Sequence, residues 1–461
     1  MAKQDDKARL YHRITQVHHG IVLDRMRVNG FWPAHQGLPP DPAPEAQERK
    51  LLDADLAVLK RDAAMSPGDV EKALKAERMR RWEESKKKRA EKKKLREARA
   101  AARRAAWVEK RKGLVFHAGE GHSGGLQHAT SDEAALLKRG LPVLHTAHDL
   151  AVALGLSLAR LRWLTYHRNG ATLVHYHRYS IPKKTGGIRG ISAPKPALAT
   201  AQKWVFDNIV QKLTIEPEAH GFVPGRSIVT NAKLHVGKRV VSNMDLKDFF
   251  PSVTYKRTKG LFVSFGYSEQ TATLMALLCT EPPRVAASVD GKPVHIAIGE
   301  RRLPQGACTS PGLTNAVCRA LDRRLAGLAQ KLGFAYSRYA DDLTFSGDED
   351  RKLGLLLRSV RRIVEDEGFQ EHPSKTRVMR RGRRQEVTGV VVNDRPTIAR
   401  EELRELRAIL HNAMRQGLEA QNRKGHPRFI DHLAGRVAYV AMVDPVRGQK
   451  LKRDLAKVLG R

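Results

Sequence analysis

The sequence predicts an α+β protein, and three features of the residue pattern carry that prediction. Apolar residues recur at helical spacing at residues 313–328 and 353–363, and a glycine follows each segment, as in amphipathic helices that end at a glycine. Between them, residues 334–345 hold two short alternating runs around a polar turn, which is typical of a β-hairpin. Residues 77–112 are rich in Lys, Arg, Glu and Ala with almost no apolar stripe, which predicts a long solvated helix.

The basic helix belongs to an N-terminal extension that we place at residues 1–130. Such a helix either adds sequence-independent affinity for nucleic acid or is a soluble spacer, and the sequence favours neither. Gly119, Gly121 and Gly124 match the G-x-G-x-x-G pattern. Because no helical pattern opens there and Gly125 follows at once, we expect a flexible linker and not a nucleotide-binding loop.

Two short helices are predicted at residues 146–166, with Ser157 as the N-cap of the second. This pattern is compatible with a DNA-binding helix-turn-helix. Packing at the start of the main domain is the preferred interpretation.

The tip of the predicted hairpin presents two adjacent carboxylates, Asp341 and Asp342, preceded by Tyr339 and Ala340. Two like charges side by side add little stability to a fold. A bound divalent cation would neutralise the two charges and would explain why they are adjacent. A solvated acidic turn is the alternative if nothing else in the chain agrees.

A second acidic element agrees. Residues 239–244 predict a short strand that delivers Asp245. Nucleotidyl transfer needs carboxylates from separate chain segments to hold two Mg²⁺ ions about 3.5–4 Å apart. Asp245, Asp341 and Asp342 supply that set, and the carbonyl of Leu246 is a further candidate ligand. The alternative for Asp245 is a carboxylate that caps the next helix.

The composition points to a polyanionic partner. The formal net charge is +35 and the pI is near 10.4, so lysine and arginine contacts with phosphates would give salt-dependent affinity. Cys279, Cys308 and Cys318 have no metal or disulfide spacing, which favours a reducing cytoplasm. No apolar run approaches the roughly 20 residues of a membrane span, and the N-terminus lacks the pattern of a signal peptide.

The C-terminal residues predict basic helices. After a strand at residues 390–392, Thr397 is expected to cap a helix with an apolar stripe, and a further helix is expected at residues 451–459. Arg400, Arg404 and Arg407 add positive charge along the first of these helices. These helices suit a grip on a duplex backbone, and ordinary solvated helix faces are the alternative.

From about Tyr179 to its C-terminus, over half of its length, the chain resembles bacterial retron reverse transcriptases. Six segments carry the resemblance in the right order, together with the two acidic elements. They are YSIPKKTGGIR at 179–189, GFVPGRSI at 221–228, NAKLH at 231–235, LPQGACTSP at 303–311, HPSKT at 372–376 and VTG at 387–389.

The resemblance implies a right-hand polymerase fold with the N-terminal extension ahead of it. The expected boundaries are fingers at residues 131–238, palm at 239–395 with the carboxylates, and a helical, RNA-binding thumb at 396–461.

The resemblance also implies roles for individual residues. The expected catalytic residues are Asp245, Asp341, Asp342 and Lys375. Lys375 would donate a proton to the leaving pyrophosphate, and an ordinary exposed turn lysine is the alternative. Metal ligands would be Asp245, Leu246, Asp341 and Asp342.

Nucleotide contacts would come from Lys183, Arg189, Phe250, Gln305, Gly306 and Ala340, with Lys184 as a further triphosphate candidate. Phe250 would be a gate against ribose, and a core position is the alternative, since one of Phe249 and Phe250 is expected in the core. RNA contacts would come from Asn231, His235, Val387, Thr388, Gly389, Arg400, Arg404 and Arg407, with packing as the alternative for His235.

The function implied is that of an RNA-directed DNA polymerase with two Mg²⁺ ions and deoxynucleoside triphosphates as substrates. Retron enzymes start from a 2′-hydroxyl of a structured non-coding RNA (msr-msd type) and make branched RNA-linked DNA (msDNA), in systems linked to phage defence. An effector protein and a host RNase H are the further partners implied. The alternatives are another bacterial reverse transcriptase, of the group II intron or diversity-generating type, and a non-catalytic RNA-binding scaffold.

Overall fold

The computed structural model describes residues 19–36, 43–63, 67–183 and 186–460. The chain divides into two units, Met1–Ala106 and Trp107–Arg461. The first unit contains helices only among its described residues. They are α1 (His19–Val28), α2 (Ala43–Ala63) and most of α3 (Pro67–Gly113). The basic helix predicted at residues 77–112 is thus confirmed as the larger part of α3.

The second unit begins with a segment that packs into its core. Val115, Ala118 and Leu126 are buried, and a Cβ on Gly119 would lie 2.2 Å from the His167 carbonyl oxygen. The prediction of a flexible linker is therefore wrong. Gly119 allows close packing of the backbone, which the sequence pattern alone does not indicate.

Three short helices follow, with caps that the sequence explains. They are α4 (Glu133–Lys138), α5 (Ala147–Ala153) and α6 (Leu158–Thr165). Thr146 and Asp149 form a capping box at the start of α5. The Ser157 side chain accepts from the Arg160 N–H at the start of α6, as predicted.

Two small antiparallel sheets and two helices are formed by residues outside the central sheet. The elements are β1 (Gly170–Ala171), β2 (Tyr176–Pro182), β3 (Ile188–Pro194), α7 (Pro196–Asn208), α8 (Ile228–Lys233), β5 (Arg284–Val289) and β6 (Lys292–Ala297). Strands β2 and β3 form a separate hairpin, and β1, β6 and β5 form a three-stranded sheet in that order.

The central sheet has the strand order β7-β8-β4-β9, with every neighbouring pair antiparallel. Its strands are β4 (Val240–Asp245), β7 (Phe334–Tyr339), β8 (Asp342–Gly347) and β9 (Arg377–Arg380). The predicted hairpin and the predicted strand before Asp245 are both confirmed, and they are neighbours in one sheet.

Helices pack with this sheet into one core. They are α9 (Tyr255–Phe265), α10 (Glu269–Cys279), α11 (Thr309–Val317), α12 (Arg319–Leu332) and α13 (Leu353–Asp366). The apolar stripe at residues 313–328 is shared by α11 and α12, which meet at Cys318. Gly333, with φ 81°, ends α12 as expected.

The C-terminal part builds a second apolar core. Its elements are β10 (Glu386–Val387), β11 (Val390–Val391), α14 (Arg400–Gln416), α15 (Phe429–Val443) and α16 (Pro445–Val458). The prediction that Thr397 caps α14 is wrong, because Ala399 holds the N-cap position. Thr397 instead exchanges backbone hydrogen bonds with Val391, of 2.7 and 3.0 Å.

No helix in the described ranges combines the length and the apolar character needed to cross a bilayer. The mixture of antiparallel sheets and separate helices confirms the α+β class.

Candidate active site

Three carboxylates lie near the same end of two neighbouring strands of the central sheet. Asp245, the last residue of β4, pairs directly with Asp342, the first residue of β8. Directly opposed residues of an antiparallel pair present their side chains on one face. Asp341 lies in the turn between β7 and β8, and its carbonyl oxygen accepts a 2.9 Å hydrogen bond from the Leu246 N–H. The structure thus brings together residues that are about a hundred positions apart in the sequence.

The turn that carries Asp341 has a strained backbone. Ala340 has φ 58°, in the left-handed region that alanine seldom adopts. Gly221 packs against this turn so closely that a Cβ there would lie 2.5 Å from the Ala340 nitrogen. The carboxylates therefore depend on surrounding contacts that keep the turn in place.

A buried ion pair supplies those contacts. Arg338, on β7, donates to both carboxylate oxygens of Asp322, on α12, at 2.8 and 2.7 Å, and both side chains are almost fully excluded from solvent. The remaining arm of Arg338 donates to Asn315 Oδ1 at 2.8 Å and to the Ala340 carbonyl at 3.2 Å. Asn315 in turn donates to the Gly221 carbonyl at 2.8 Å. One guanidinium therefore links a helix, the loop at Gly221 and the strained turn.

The electrostatics of the hairpin carboxylates disfavour their charged forms. Burial, with the charges of Asp341 and Asp245 adding to it, raises the pKa of Asp342 to about 7. Burial and the charge of Asp245 also raise the pKa of Asp341. Because these pKa values are raised, the folded state becomes less stable as the pH rises from the ordinary aspartate range to about 7, where the buried carboxyls must ionise. A bound cation would offset that cost.

Lys375 already provides one positive charge to this site. Its ammonium lies 2.8 and 2.9 Å from the two carboxylate oxygens of Asp245. The side chain is 52% exposed, so it approaches the carboxylate from the solvent side. The structure thus places Lys375 on a carboxylate, whereas the resemblance implied a contact with the leaving pyrophosphate.

The residues present fit a divalent metal site, although they are not drawn together as a finished one. No three His, Cys, Asp or Glu side chains in the described part of the chain are already gathered around a common point, and Asp245 is turned to Lys375. The donors are nevertheless carboxylate oxygens on adjacent strands, which Mg²⁺ prefers. Burial and mutual repulsion raise the pKa values of Asp341 and Asp342, and a divalent cation would oppose that rise.

A basic cleft of about 280 Å³ is lined by Lys183, Arg189 and Gln305. The charge of Arg189 acts on Asp341, where it opposes the rise in the pKa of that carboxyl, so this wall of the cleft lies near the carboxylates. Lys184 lies outside the described residues. Of the basic residues predicted to bind the triphosphate, the structure thus places Arg189 near Asp341 and Lys183 in the same cleft.

Gly306 brings the Gln305 loop against this hairpin. The Ser192 N–H donates to the Gln305 carbonyl at 2.7 Å. Gly306 has φ 123°, and a Cβ there would lie 2.9 Å from the Ser192 carbonyl oxygen. Both the backbone conformation and the close approach therefore require glycine.

The two neighbouring phenylalanines have different environments. Phe249 is 5% exposed and belongs to the core, whereas Phe250 is half-buried, with its ring 6.0 Å from that of Phe222. The sequence predicted that one of them is a core residue, and the structure assigns that place to Phe249.

The expectation of direct RNA contact is corrected for three residues. Asn231, His235 and Val387 have no exposed surface. His235 packs on β7 and β8, with its ring nitrogens 2.7 Å from the hydroxyls of Ser337 and Ser346, and burial lowers its pKa to about 3. A buried side chain without charge cannot meet RNA, so these residues have packing roles.

The triplet at 387–389 forms a tight hairpin that packs on the residues at 228–231. Thr388 (φ 47°) and Gly389 (φ 83°) are the two turn residues between β10 and β11. The Asn231 side-chain amide lies 3.4 Å from the Thr388 hydroxyl, and Tyr439 donates to the Gly389 carbonyl at 3.1 Å. Only the turn itself remains accessible to RNA.

The three arginines predicted on the C-terminal helix are exposed. Arg400, Arg404 and Arg407 lie on the solvent side of α14, opposite the buried Leu403 and Leu406. Within the described residues, none of the three forms an ion pair. They are available to phosphates.

Comparison with known proteins agrees with this arrangement. Residues 181–429 match the family described as reverse transcriptase (RNA-dependent DNA polymerase). The retron Mx162 reverse transcriptase of Myxococcus xanthus is 47% identical over 339 residues, which cover 69% of this chain and 68% of that protein. The retron Mx65 enzyme of the same organism is 46% identical, over 71% of this chain and 75% of that one. The retron Ec86 reverse transcriptase of Escherichia coli is 31% identical, over 69% and 91%.

The chain belongs to the retron reverse transcriptases. It is therefore an RNA-directed DNA polymerase, and the resemblance drawn from its motifs is confirmed. The right-hand polymerase fold predicted for it, with a basic helical N-terminal extension, is confirmed as well.

The buried network of this reverse transcriptase is not predicted from the sequence. The pattern places Arg338 in a strand and gives Asn315 and Asp322 no role. One feature of the sequence does point to this network. Asn315 and Asp322 lie seven positions apart, on the buried stripe of two consecutive helices, and buried polar side chains need hydrogen-bond partners. The partner on β7 is fixed only by tertiary structure.

Substitutions in the buried Arg338–Asp322 pair should change protein stability and DNA synthesis to different extents. Arg338→Met leaves the Asp322 carboxylate buried without a counter-charge and with the Tyr336 hydroxyl, at 2.8 Å, as its remaining side-chain donor, so we expect the free energy of unfolding to fall by about 3–5 kcal/mol. The double variant Arg338→Met/Asp322→Leu removes the buried charge and should recover part of that loss, although the Tyr336 hydroxyl then loses its acceptor. Its DNA synthesis should stay low, because the bonds to Asn315 and Ala340 remain absent. Chemical denaturation and primer extension measure the two effects.

The matched control is Arg324→Met, which removes an exposed arginine paired with Asp366 and Glu367. Exposed pairs contribute roughly 0–1 kcal/mol, so stability and activity should change little. Full activity in the stable double variant would show that Arg338 does not position the turn.

Proposed function

We propose that this reverse transcriptase copies a cognate, structured non-coding RNA of the msr-msd type into branched, RNA-linked single-stranded DNA (msDNA). The observation that carries the proposal is the group of three carboxylates beside a basic cleft, in a chain whose relatives are retron enzymes. The same relationship supports a place in a phage-defence system with an effector protein, and the use of a host RNase H to remove template. Fingers at 131–238, palm at 239–395 and thumb at 396–461 remain the division we propose.

Asp245, Asp341 and Asp342, with the Leu246 carbonyl, are the residues proposed to hold two Mg²⁺ ions. Bound there, the ions would lower the pKa of the attacking hydroxyl and neutralise the leaving pyrophosphate. Lys375 would leave Asp245 as the site fills and become available to the pyrophosphate. Its exposure and flexible chain allow this movement.

The basic cleft is the proposed site of the incoming deoxynucleoside triphosphate. Arg189 and Lys183 would hold its phosphates, and Arg189 has the planar fork that suits phosphate oxygens. Gln305 and Gly306 would let backbone approach the new base pair. Ala340, small and at the turn, would leave room for the primer end, and Phe250 would exclude a ribose 2′-hydroxyl.

The exposed arginines of α14 are the proposed contacts of the thumb with the nucleic-acid backbone. Arg400, Arg404 and Arg407 form no ion pair in the described part of the chain, so phosphates can neutralise them without first breaking one. At Thr388 and Gly389, contact with RNA is proposed through the turn itself.

Asp341→Asn tests the carboxylate site directly. We expect incorporation of deoxynucleotides on an RNA template to fall to background, because one anionic ligand is lost. Stability should not fall, because the change removes a buried like charge next to Asp245 and Asp342. Single-nucleotide extension and thermal unfolding are the measurements.

Asp290→Asn is the matched control, since Asp290 lies in an exposed turn at φ 50° that asparagine tolerates. It should extend at the wild-type rate. If Asp341→Asn extended the primer at the wild-type rate, the assignment of Asp341 as a metal ligand would be wrong.

Phe250→Ala tests the proposed sugar gate. Without the ring, a ribose 2′-hydroxyl should fit, so the efficiency ratio of ribonucleotide to deoxynucleotide should rise by roughly tenfold or more. Phe249→Leu, in the core, should lower stability and leave the ratio unchanged. An unchanged ratio in folded Phe250→Ala would place the gate elsewhere.

A further inference from the structure

A cluster of exposed aromatic and basic side chains lies at the end of α6, and we call it the α6 platform. It consists of Arg160, Trp163, Tyr166 and Arg168. The Arg160 guanidinium lies 4.0 Å from the centre of the Trp163 ring, and that of Arg168 lies 5.3 Å from the centre of the Tyr166 ring. Trp163 and Tyr166 are 38% and 39% exposed. Large aromatic rings stacked with arginine on a protein surface need an explanation.

The platform is held rigidly. On the opposite side of α6, Leu161 and Leu164 are buried in the core. The His175 ring meets the Trp163 ring edge-on at 4.3 Å, and its Nε2 lies 3.1 Å from the Trp163 carbonyl. The rings are therefore presented in fixed positions, which lowers the entropy lost on binding a flat partner.

The platform neighbours the proposed nucleotide cleft. The surface cleft lined by Trp163, Tyr166 and Arg168 also contains Glu281 and Pro282. Glu281 and Pro282 also line the basic cleft with Arg189. Arg178 forms an ion pair with Glu281. Because this pair neutralises the carboxylate, the part of the surface that the two clefts share does not repel an anion. A strand that leaves the nucleotide cleft on this side would meet the platform.

The chemistry of the platform matches unpaired nucleic-acid bases. Bases stack on aromatic rings and on guanidinium planes, and the arginine charge suits the adjoining phosphates. The chain has a net charge of +35, which favours a polyanion over another protein as the occupant. The helices α5 and α6 also resemble a helix-turn-helix in sequence, yet α6 has only eight residues and exposes stacked rings and not a polar reading face.

We propose that the α6 platform stacks unpaired bases of the RNA template strand before they are copied. This inference rests on the proposed nucleotide cleft, and it assigns α6 a binding role beyond the carboxylate site. Stacking is tolerant of base identity, so the platform would hold a template of any sequence.

The test compares primer–template duplexes whose RNA strand overhangs the primer by a single nucleotide or by about eight nucleotides. For the wild-type protein, the longer overhang should bind more tightly. Trp163→Leu keeps apolar bulk but removes the flat ring. The affinity for the longer overhang should therefore fall by roughly tenfold or more for each base that is no longer stacked, which removes most of the gain. Trp163→Phe should retain most of it. Fluorescence anisotropy at fixed salt measures the affinities.

A second variant, Arg160→Gln, removes one stacked guanidinium from the surface without touching the core, and it should also reduce the gain. Single-nucleotide extension on the short-overhang duplex should stay at the wild-type rate in every variant. If wild-type protein extends the primer but Trp163→Leu keeps the full gain, the platform proposal is wrong and the proposed function stands. Equal losses on both duplexes would also overturn it, because they would show that the substitution acts on the structure as a whole and not on the overhanging bases.

Discussion

The carboxylate turn depends on the buried ion pair between Arg338 and Asp322. A fully buried pair is weak evidence for stability, since desolvation can cancel the attraction of the charges. Its geometry is the better reason for its presence here. The same guanidinium reaches Asn315 and the Ala340 carbonyl, so one rigid fork holds a helix, a loop and a strained turn in register. A flexible or apolar side chain would fill the space without fixing that turn.

Local patterns explain what the sequence predicted well. The β7–β8 hairpin, the strand before Asp245 and the capped helix at Ser157 each follow from residues within a few positions of one another. The basic α3 helix follows from composition alone. The chemistry of a two-metal site predicts that Asp245 and the hairpin carboxylates act together, and the structure adds that β4 and β8 are neighbours in one sheet.

Tertiary contacts explain what the sequence did not predict. The glycine-rich residues at 119–125 predict a linker because nothing local shows that Gly119 packs on His167 and Gly125 on Glu269. Thr397 was taken for a helix cap, but pairing with Val391 uses its backbone first. His235 was assigned to RNA because a motif marks importance and not exposure. The Arg338 network was missed because its members come from separate elements whose contacts no periodicity reveals.

We propose that the carboxylates of β4 and the hairpin form a divalent-cation site in which Lys375 is displaced from Asp245. A crystal structure of the protein with an RNA–DNA duplex, a deoxynucleoside triphosphate and Ca²⁺, which binds without supporting turnover, tests this proposal. We expect cation density between Asp245 and Asp341, with the Lys375 ammonium moved away from Asp245. Cations bound elsewhere, with the Lys375–Asp245 pair intact, would contradict it.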